Sequence, residues 1–326
     1  MVNQHGERDC AHRRTKRFGG RRRCCVACGV TWRIRPRRRG PKRRPRRTAM
    51  LARTFRDKLT LTQVARLRKR SMTTVKERQR GALDAALRQP WSAHIPCGRL
   101  ILVSDGLWFT VDEERWVAYL CALRSVSGDR AVFLRPILKP GHECEERWRE
   151  VIEGISPSVH CRISAWVSDS VRGVEVIAAE RGWVLQRCHA HLLRRVADVM
   201  GTRKRLRWLA GRRLAAVRVR DLITASDPRA ARRSLRRLAH DLECPTKVRG
   251  VIREALRRRD EYRSYLTHHD LRLPTTTNTV EGMNARIREL AGRSRGFRTQ
   301  AALERWLIGF VRCNPTAMCR PKQQPK

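Results

Sequence analysis

Three carboxylates stand in matched settings along an otherwise basic chain. Asp105 ends the apolar run RLILVSD (99–105), Asp169 ends CRISAWVSD (161–169), and Glu281 sits in TTTNTVEGMNARIR (275–288). Carboxylates are hard oxygen donors, and carboxylates held close together repel one another unless a cation neutralises them. Mg²⁺ is typically held by one or two such groups plus a substrate phosphate. Two such ions about 3.5–4 Å apart stabilise the attacking and leaving oxygens of an in-line displacement at phosphorus. Each acid also has a plainer reading. An Asp after a strand is commonly a turn residue or a helix N-cap. Asn278-Thr-Val-Glu281 has the spacing of a capping box, with Asn278 or Thr279 as the cap.

A second kind of chemistry is suggested near the start. CCVACGVTW contains Cys25-Val-Ala-Cys28-Gly29, a knuckle that suits zinc because the glycine permits the tight bend. Two further ligands are needed. Cys10 and His12 are the natural pair, although only one residue separates them; His5 and Cys24 are substitutes. An intact Zn²⁺ site, a degenerate ribbon and unrelated cysteines all remain open.

The elements that must position the acids follow from periodicity. Apolar runs at 99–105, 115–126, 130–138, 161–169 and 183–188 read as strands, and helical patterns cover 146–155 and 171–182. The resulting β-β-β-α-β-α-β order matches an α/β fold of the RNase H-like type: a mixed sheet flanked by helices, with the first and fourth strands as neighbours. Functional residues in such open sheets lie at the carboxyl ends of strands. That places Asp105 and Asp169 side by side, and an acid on a later helix completes the set. Residues 95–320 form this domain, with a mostly helical, Arg-rich insertion over about 190–270.

The front of the chain divides further. Residues 1–32 form a zinc-ribbon-like segment. Residues 33–47, RIRPRRRGPKRRPRR, carry ten Arg or Lys and three prolines, so they form a basic linker unable to pack. Arg37, Arg38, Arg39, Lys42, Arg43 and Arg44 are its candidate phosphate contacts. Residues 48–89 read as helices with cap signals at Thr60 and Ser71. The layout is that of a helix-turn-helix whose second helix carries Thr74, Lys76 and Arg78 as candidate DNA contacts.

Composition agrees. The 326 residues hold 74 Lys and Arg against 30 Asp and Glu, a formal net charge of +44. Such a chain calls for a polyanionic partner, and nucleic acid is the obvious one. Basic membrane binders concentrate charge in one patch, whereas here Arg is spread throughout, and no apolar run approaches the roughly 20 residues of a membrane span. MVNQHGERDCAHRR has no apolar core of an export signal. The 12 cysteines are therefore expected to be reduced, in a cytoplasmic, nucleoid-associated protein.

The motifs LILVSDGLWF, AWVSDSVRG, LQRCHAHLLRRV and TTTNTVEGMNARIREL, with GFRTQAALERWL following, resemble the DDE transposases of bacterial insertion sequences in the broad Mutator-like superfamily. The resemblance covers about 95–320. It implies a metal-dependent polynucleotidyl transferase that cleaves DNA at transposon ends and joins the new 3′-hydroxyl to target DNA. Asp105, Asp169 and Glu281 would hold Mg²⁺ or Mn²⁺, with Arg286 and Arg288 along the DNA track. Action on two ends implies a homodimer or larger assembly. The family's Cys-x-x-His is matched by Cys188 and His191, for which a structural or substrate-positioning role near the site is expected rather than zinc. The rival readings are an inactive transposase relic, a sequence-specific DNA-binding regulator and a structural nucleoid component.

Overall fold

A computed structural model describes residues 15–17, 22–33, 48–91, 94–169, 171–200, 208–293 and 296–321. The chain divides into two units, Met1–Ala49 and Met50–Lys326. The first holds three short antiparallel strands, β1 (Thr15–Arg17), β2 (Arg22–Cys25) and β3 (Thr31–Arg33). Cys24, Cys25 and Trp32 are buried. Gly29 has φ +72° and its N–H donates to the Cys25 carbonyl, which closes the turn carrying exposed Cys28. Cys10 and His12 lie outside the described residues, as do Arg37, Arg38, Arg39, Lys42, Arg43 and Arg44.

Most of α1 (Thr48–Phe55) belongs to the second unit, followed by α2 (Leu61–Arg68) and α3 (Met72–Arg88). Both cap signals form. Thr60 accepts from the Gln63 N–H in a full capping box, and Ser71 accepts from the Thr74 N–H. These bonds satisfy backbone donors that a helix start leaves free. Lys69, in left-handed conformation, ends α2 and sets the turn into α3.

The sheet runs β4 (Leu100–Val111), β5 (Glu114–Ser125), β6 (Arg130–Phe133), β7 (Ile137–Pro140), β8 (Ile163–Ser168), β9 (Val184–Arg187) and β10 (Thr316–Met318). The spatial order is β10-β6-β5-β4-β8-β9, with β7 also pairing β5. β4, β5 and β6 are antiparallel, while β8 lies parallel to β4 and β9 parallel to β8. This is a mixed sheet flanked by helices. Two strand expectations need correction. The first strand does not stop at Asp105 but continues to Val111, because its hairpin partner β5 supplies a hydrogen-bonding edge throughout. The stretch 130–138 is two short strands, broken around Pro136, which has no N–H for the ladder.

Both faces of the sheet are covered, which explains the unbroken apolar run Leu100–Val103. Leu100, Leu102 and Trp166 pack with α4 (Glu145–Glu153) and α6 (Val174–Glu180) on one face. The short α5 (Pro157–His160) adds Val159 to that layer. Ile101, Val103 and Val167 pack with α12 (Asn278–Arg293) and α13 (Gln300–Cys313) on the other. Between β9 and α12, α7 (His189–Met200), α8 (Leu209–Thr224), α9 (Arg229–His240), α10 (Thr246–Arg257) and α11 (Arg259–Thr267) enclose a third core around Leu192, Leu222, Leu235 and Ile252. No helix among the described residues is long and apolar enough to cross a membrane.

α1 and α3 are not a free-standing module, for Leu51, Phe55, Ala82 and Ala86 share the core of α12 and α13. Phe55 meets Trp306 edge-on at 5.3 Å. The close approach falls at Gly309, where a Cβ would lie 2.4 Å from the Leu83 side chain. Gly309→Val should therefore destabilise the unit by about 1–3 kcal/mol through overpacking. Gly250→Ala on α10, where a Cβ meets nothing within 4 Å, should stabilise by about 0.5–1 kcal/mol. Thermal melting of the two variants checks the opposite signs.

Candidate active site

The parallel pairing of β4 with β8 ends at Val103–Val167, one alternation before Asp105 and Asp169. β8 then stops while β4 goes on, so both acids lie where the sheet loses a strand. Asp105 is buried, and its Oδ2 accepts from Asn284 Nδ2 at 2.7 Å. Asp169 Oδ1 accepts from the Val171 N–H, and the Asp169 carbonyl accepts from Arg187 Nη1 at 3.0 Å.

Glu281 arrives from the first turn of α12, where the partial positive charge of a helix start favours a carboxylate. The segment after β9 holds that helix start in place. The Cys188 N–H donates to the Ser168 carbonyl, the His189 N–H to the Thr275 carbonyl, and the Thr277 N–H to Cys188 Sγ. Thr277, rather than Asn278 or Thr279, precedes the helix and accepts from the N–H groups of Val280 and Glu281. Thr279 instead donates to the Met318 carbonyl. Glu281 does not reach back to the backbone at Asn278. Its Oε1 accepts from Thr277 Oγ1 at 2.8 Å and its Oε2 from Arg194 Nη2 at 3.2 Å.

His191 links the three acids through two overlapping groups. Donor atoms of Asp105, Asp169 and His191 lie within 4.8 Å of one another, and so do those of Cys188, His191 and Glu281. Spacing along the chain shows no second half for a Cys188–His191 pair, but the fold supplies one from α12 and the strand ends. Cys188 Sγ accepts from the Thr277 N–H and its thiol donates to Glu281 Oε1. Burial pushes that thiol's pKa up.

Electrostatics separate the acids. Burial, then Asp169 and Glu281, push Asp105 up to about 7. Burial likewise raises Asp169. Burial opposes ionisation of Glu281 too, but Thr277, His191 and Arg194 outweigh it and hold that carboxyl below its ordinary value. Asn284 Oδ1, beside Asp105, is buried without a hydrogen-bond partner among the described residues. Converging hard oxygens, two raised carboxyl pKa values and an orphaned amide oxygen fit a divalent cation of the Mg²⁺ or Mn²⁺ kind.

Other expected residues fare differently. Lys76, Arg78 and Arg288 are exposed, whereas Thr74 is half-buried and hydrogen-bonded to Ser71. Arg286 is turned inward, bonded to Asn314 Oδ1 at 2.7 Å and lying over the Phe310 ring. Cys25 and Cys28 join no group of three possible metal ligands among the described residues. Sequence reasoning missed Asn284, Arg187, Arg194 and Glu143. Only Asn284 carried a signal, being one helical turn after Glu281 on the same face. Glu143, in the loop before α4, is pushed up to about 8 by burial and by Asp169.

These shifts set a pH dependence. Ordinary values are 3.8 for Asp105 and 4.5 for Glu143, against about 7 and about 8 in the fold. The folded state therefore binds these protons more tightly than the unfolded chain does, and stability is lost as pH rises from about 4 through 8. The melting temperature of metal-free protein should fall over that range, and Mn²⁺ should restore more of it at pH 8 than at pH 6.

No curated sequence compared with the chain shows significant similarity to it. The family profile described as "Transposase, Mutator family" matches residues 102–314, from within β4 to the end of α13 and so across all three acids and the helices inserted between the second and third. With that match spanning most of its length, the chain belongs to the Mutator family of transposases.

Proposed function

We propose that the protein is a catalytically competent DDE transposase whose second unit has the RNase H-like fold. It would cleave DNA at the ends of its element and transfer the released 3′-hydroxyl into target DNA. The observation that supports this reading is that Asp105 and Asp169 share one possible ligand group with His191, while Glu281, from a distant helix, shares another with the same imidazole. A divalent cation bound there would polarise the scissile phosphate and stabilise charge on the entering and leaving oxygens. Asp105 and Asp169 would hold it from the strand ends, and Glu281 from α12. Asn284 orients Asp105 through its amide. Arg187 fixes the backbone at Asp169, and Thr277 with Arg194 fixes the rotamer of Glu281.

DNA binding is supported by charge that the protein itself leaves unpaired. On α9, Arg232, Arg233, Arg236 and Arg237 are exposed, while Ala231, Leu235 and Ala239 face the core. No ion pair among the described residues engages those four arginines. Lys76 and Arg78 on α3 and Arg288 on α12 are further exposed cations. The basic linker, with Arg37, Arg38, Arg39, Lys42, Arg43 and Arg44, belongs to the same reading.

Two experiments test it. Asp105→Asn and Glu281→Gln should each abolish strand cleavage of DNA carrying the sequences that flank the gene, while binding in a mobility-shift assay stays within about twofold. Cleavage that survives either change refutes the assignment. Replacing the four α9 arginines by Gln should flatten the plot of log affinity against log salt by about 0.9 for each phosphate that the variant no longer neutralises. An unchanged slope removes α9 from the DNA surface.

A further inference from the structure

Cys188 and His191 follow β9 directly, and along the chain they make only half of a metal site. The fold brings Glu281 to them from the first turn of α12. Their donor atoms and one Glu281 oxygen all lie within 4.8 Å of one another. Sulfur, imidazole nitrogen and carboxylate oxygen together suit an ion of the Zn²⁺ class, whereas Mg²⁺ takes oxygen.

The distances match a tetrahedral ion. Cys188 Sγ lies 3.7 Å from Glu281 Oε1, and His191 Nδ1 lies 3.4 Å from the same oxygen. Around a tetrahedral Zn²⁺ with ordinary bond lengths, the sulfur–oxygen and nitrogen–oxygen edges are about 3.6 Å and about 3.4 Å. Octahedral Mg²⁺ would draw neighbouring oxygens to about 2.9 Å. His191 Nδ1 is buried with no hydrogen-bond partner among the described residues.

Two of the three groups are braced from outside the set. The Thr277 N–H donates to Cys188 Sγ at 3.4 Å, and Thr277 Oγ1 donates to Glu281 Oε1 at 2.8 Å. Hydrogen bonds of this kind orient metal ligands. Arg194 holds Glu281 Oε2, which leaves Oε1 facing Cys188 and His191. The Cys188 thiol now donates its proton towards Oε1. A bound cation takes that place between sulfur and oxygen, and the proton leaves to solvent.

We propose that Cys188, His191 and Glu281 form a second cation site, which takes thiophilic ions of the Zn²⁺ class and competes with the catalytic cation. The competition rests on the catalytic reading above, in which Glu281 is the third acid. His191 also shares a ligand group with Asp105 and Asp169. An ion bound to Cys188 therefore draws Glu281 and His191 away from the other ion, and each ion lowers the other's affinity by the same factor.

The test titrates the full-length protein with Co²⁺, whose sulfur-to-metal charge-transfer absorption reports thiolate ligation. Mn²⁺ binding is followed in parallel by electron paramagnetic resonance of the free ion. Cys188→Ser, His191→Ala and Glu281→Gln should each lose the same part of the Co²⁺ absorption, and Asp105→Asn should keep all of it. Zn²⁺ should displace Mn²⁺ from the parent, and in Cys188→Ser the Zn²⁺ needed for equal displacement should rise about 10-fold or more. Should Cys188→Ser fail to fold, His191→Ala serves, since it leaves the Thr277–Cys188 bond intact. Equal absorption in the parent and the three variants overturns the site. Loss in Cys188→Ser alone overturns the three-ligand set. Equal Zn²⁺ displacement of Mn²⁺ from the parent and Cys188→Ser overturns the competition. If the parent takes up no Mn²⁺, the catalytic-cation reading fails, and the Co²⁺ absorption still decides the thiophilic site.

Discussion

Carboxylates brought together at a partly buried sheet edge are the constraint on which this structure turns. Each ionised acid raises the energy of its neighbours, and burial removes the water that would screen them. Such a cluster persists only if the surrounding framework over-determines its geometry. Here the framework is the parallel β4–β8 pair, rooted in apolar layers on both faces. The strand ends cannot separate without exposing those layers, so the aspartates stay together despite their repulsion.

The third acid needs a different device, because α12 reaches the site only after the whole helical excursion α7–α11. Two sets of contacts hold that excursion to the sheet. One is the stitching of Cys188 and His189 to Ser168, Thr275 and Thr277. The other is a network around Arg187, which is fully buried on β9. Arg187 pairs with Glu175 of α6 and Glu261 of α11, and Arg258 pairs with Glu175 from the far side. The same guanidinium holds the Asp169 carbonyl. Removing one partner of a buried pair commonly costs about 3–5 kcal/mol, so this network ties the inserted helices to the second aspartate by a bond that is expensive to open.

The division of charge follows the same logic. Arginines near the sheet are consumed by the fold, as with Arg124, buried against the carbonyls of Leu271, Arg272 and Cys319, and Arg286 against Asn314. Arg232, Arg233, Arg236 and Arg237 on α9 are exposed and engage in no ion pair among the described residues. A large net positive charge is therefore not one uniform surface. Part of it is internal scaffolding, and the remainder is available to a polyanion.

Much of this was legible in the chain itself. The apolar runs ending in Asp105 and Asp169 marked the central strands, since a strand buried on both faces must be continuously apolar. The caps at Thr60 and Ser71 were readable because capping is a local bond between residues three apart. The helical character of 190–270 showed in its periodicity. What sequence could not decide was anything resting on contacts distant along the chain. Asp105 lies within a longer strand because β5, not the apolar run, sets where β4 ends. Thr277 precedes α12, and Glu281 turns away from a capping box, because Cys188 and Arg194 compete for those groups. Arg286 turns inward because Asn314 happens to lie beside it. Glu143 carried no local signal at all, being one acid among several in GHECEE. Residue type and short-range spacing determined which groups this protein has and which elements carry them. Tertiary packing alone decided which of those groups share one small space, because burial and like-charge repulsion act through space and not along the chain.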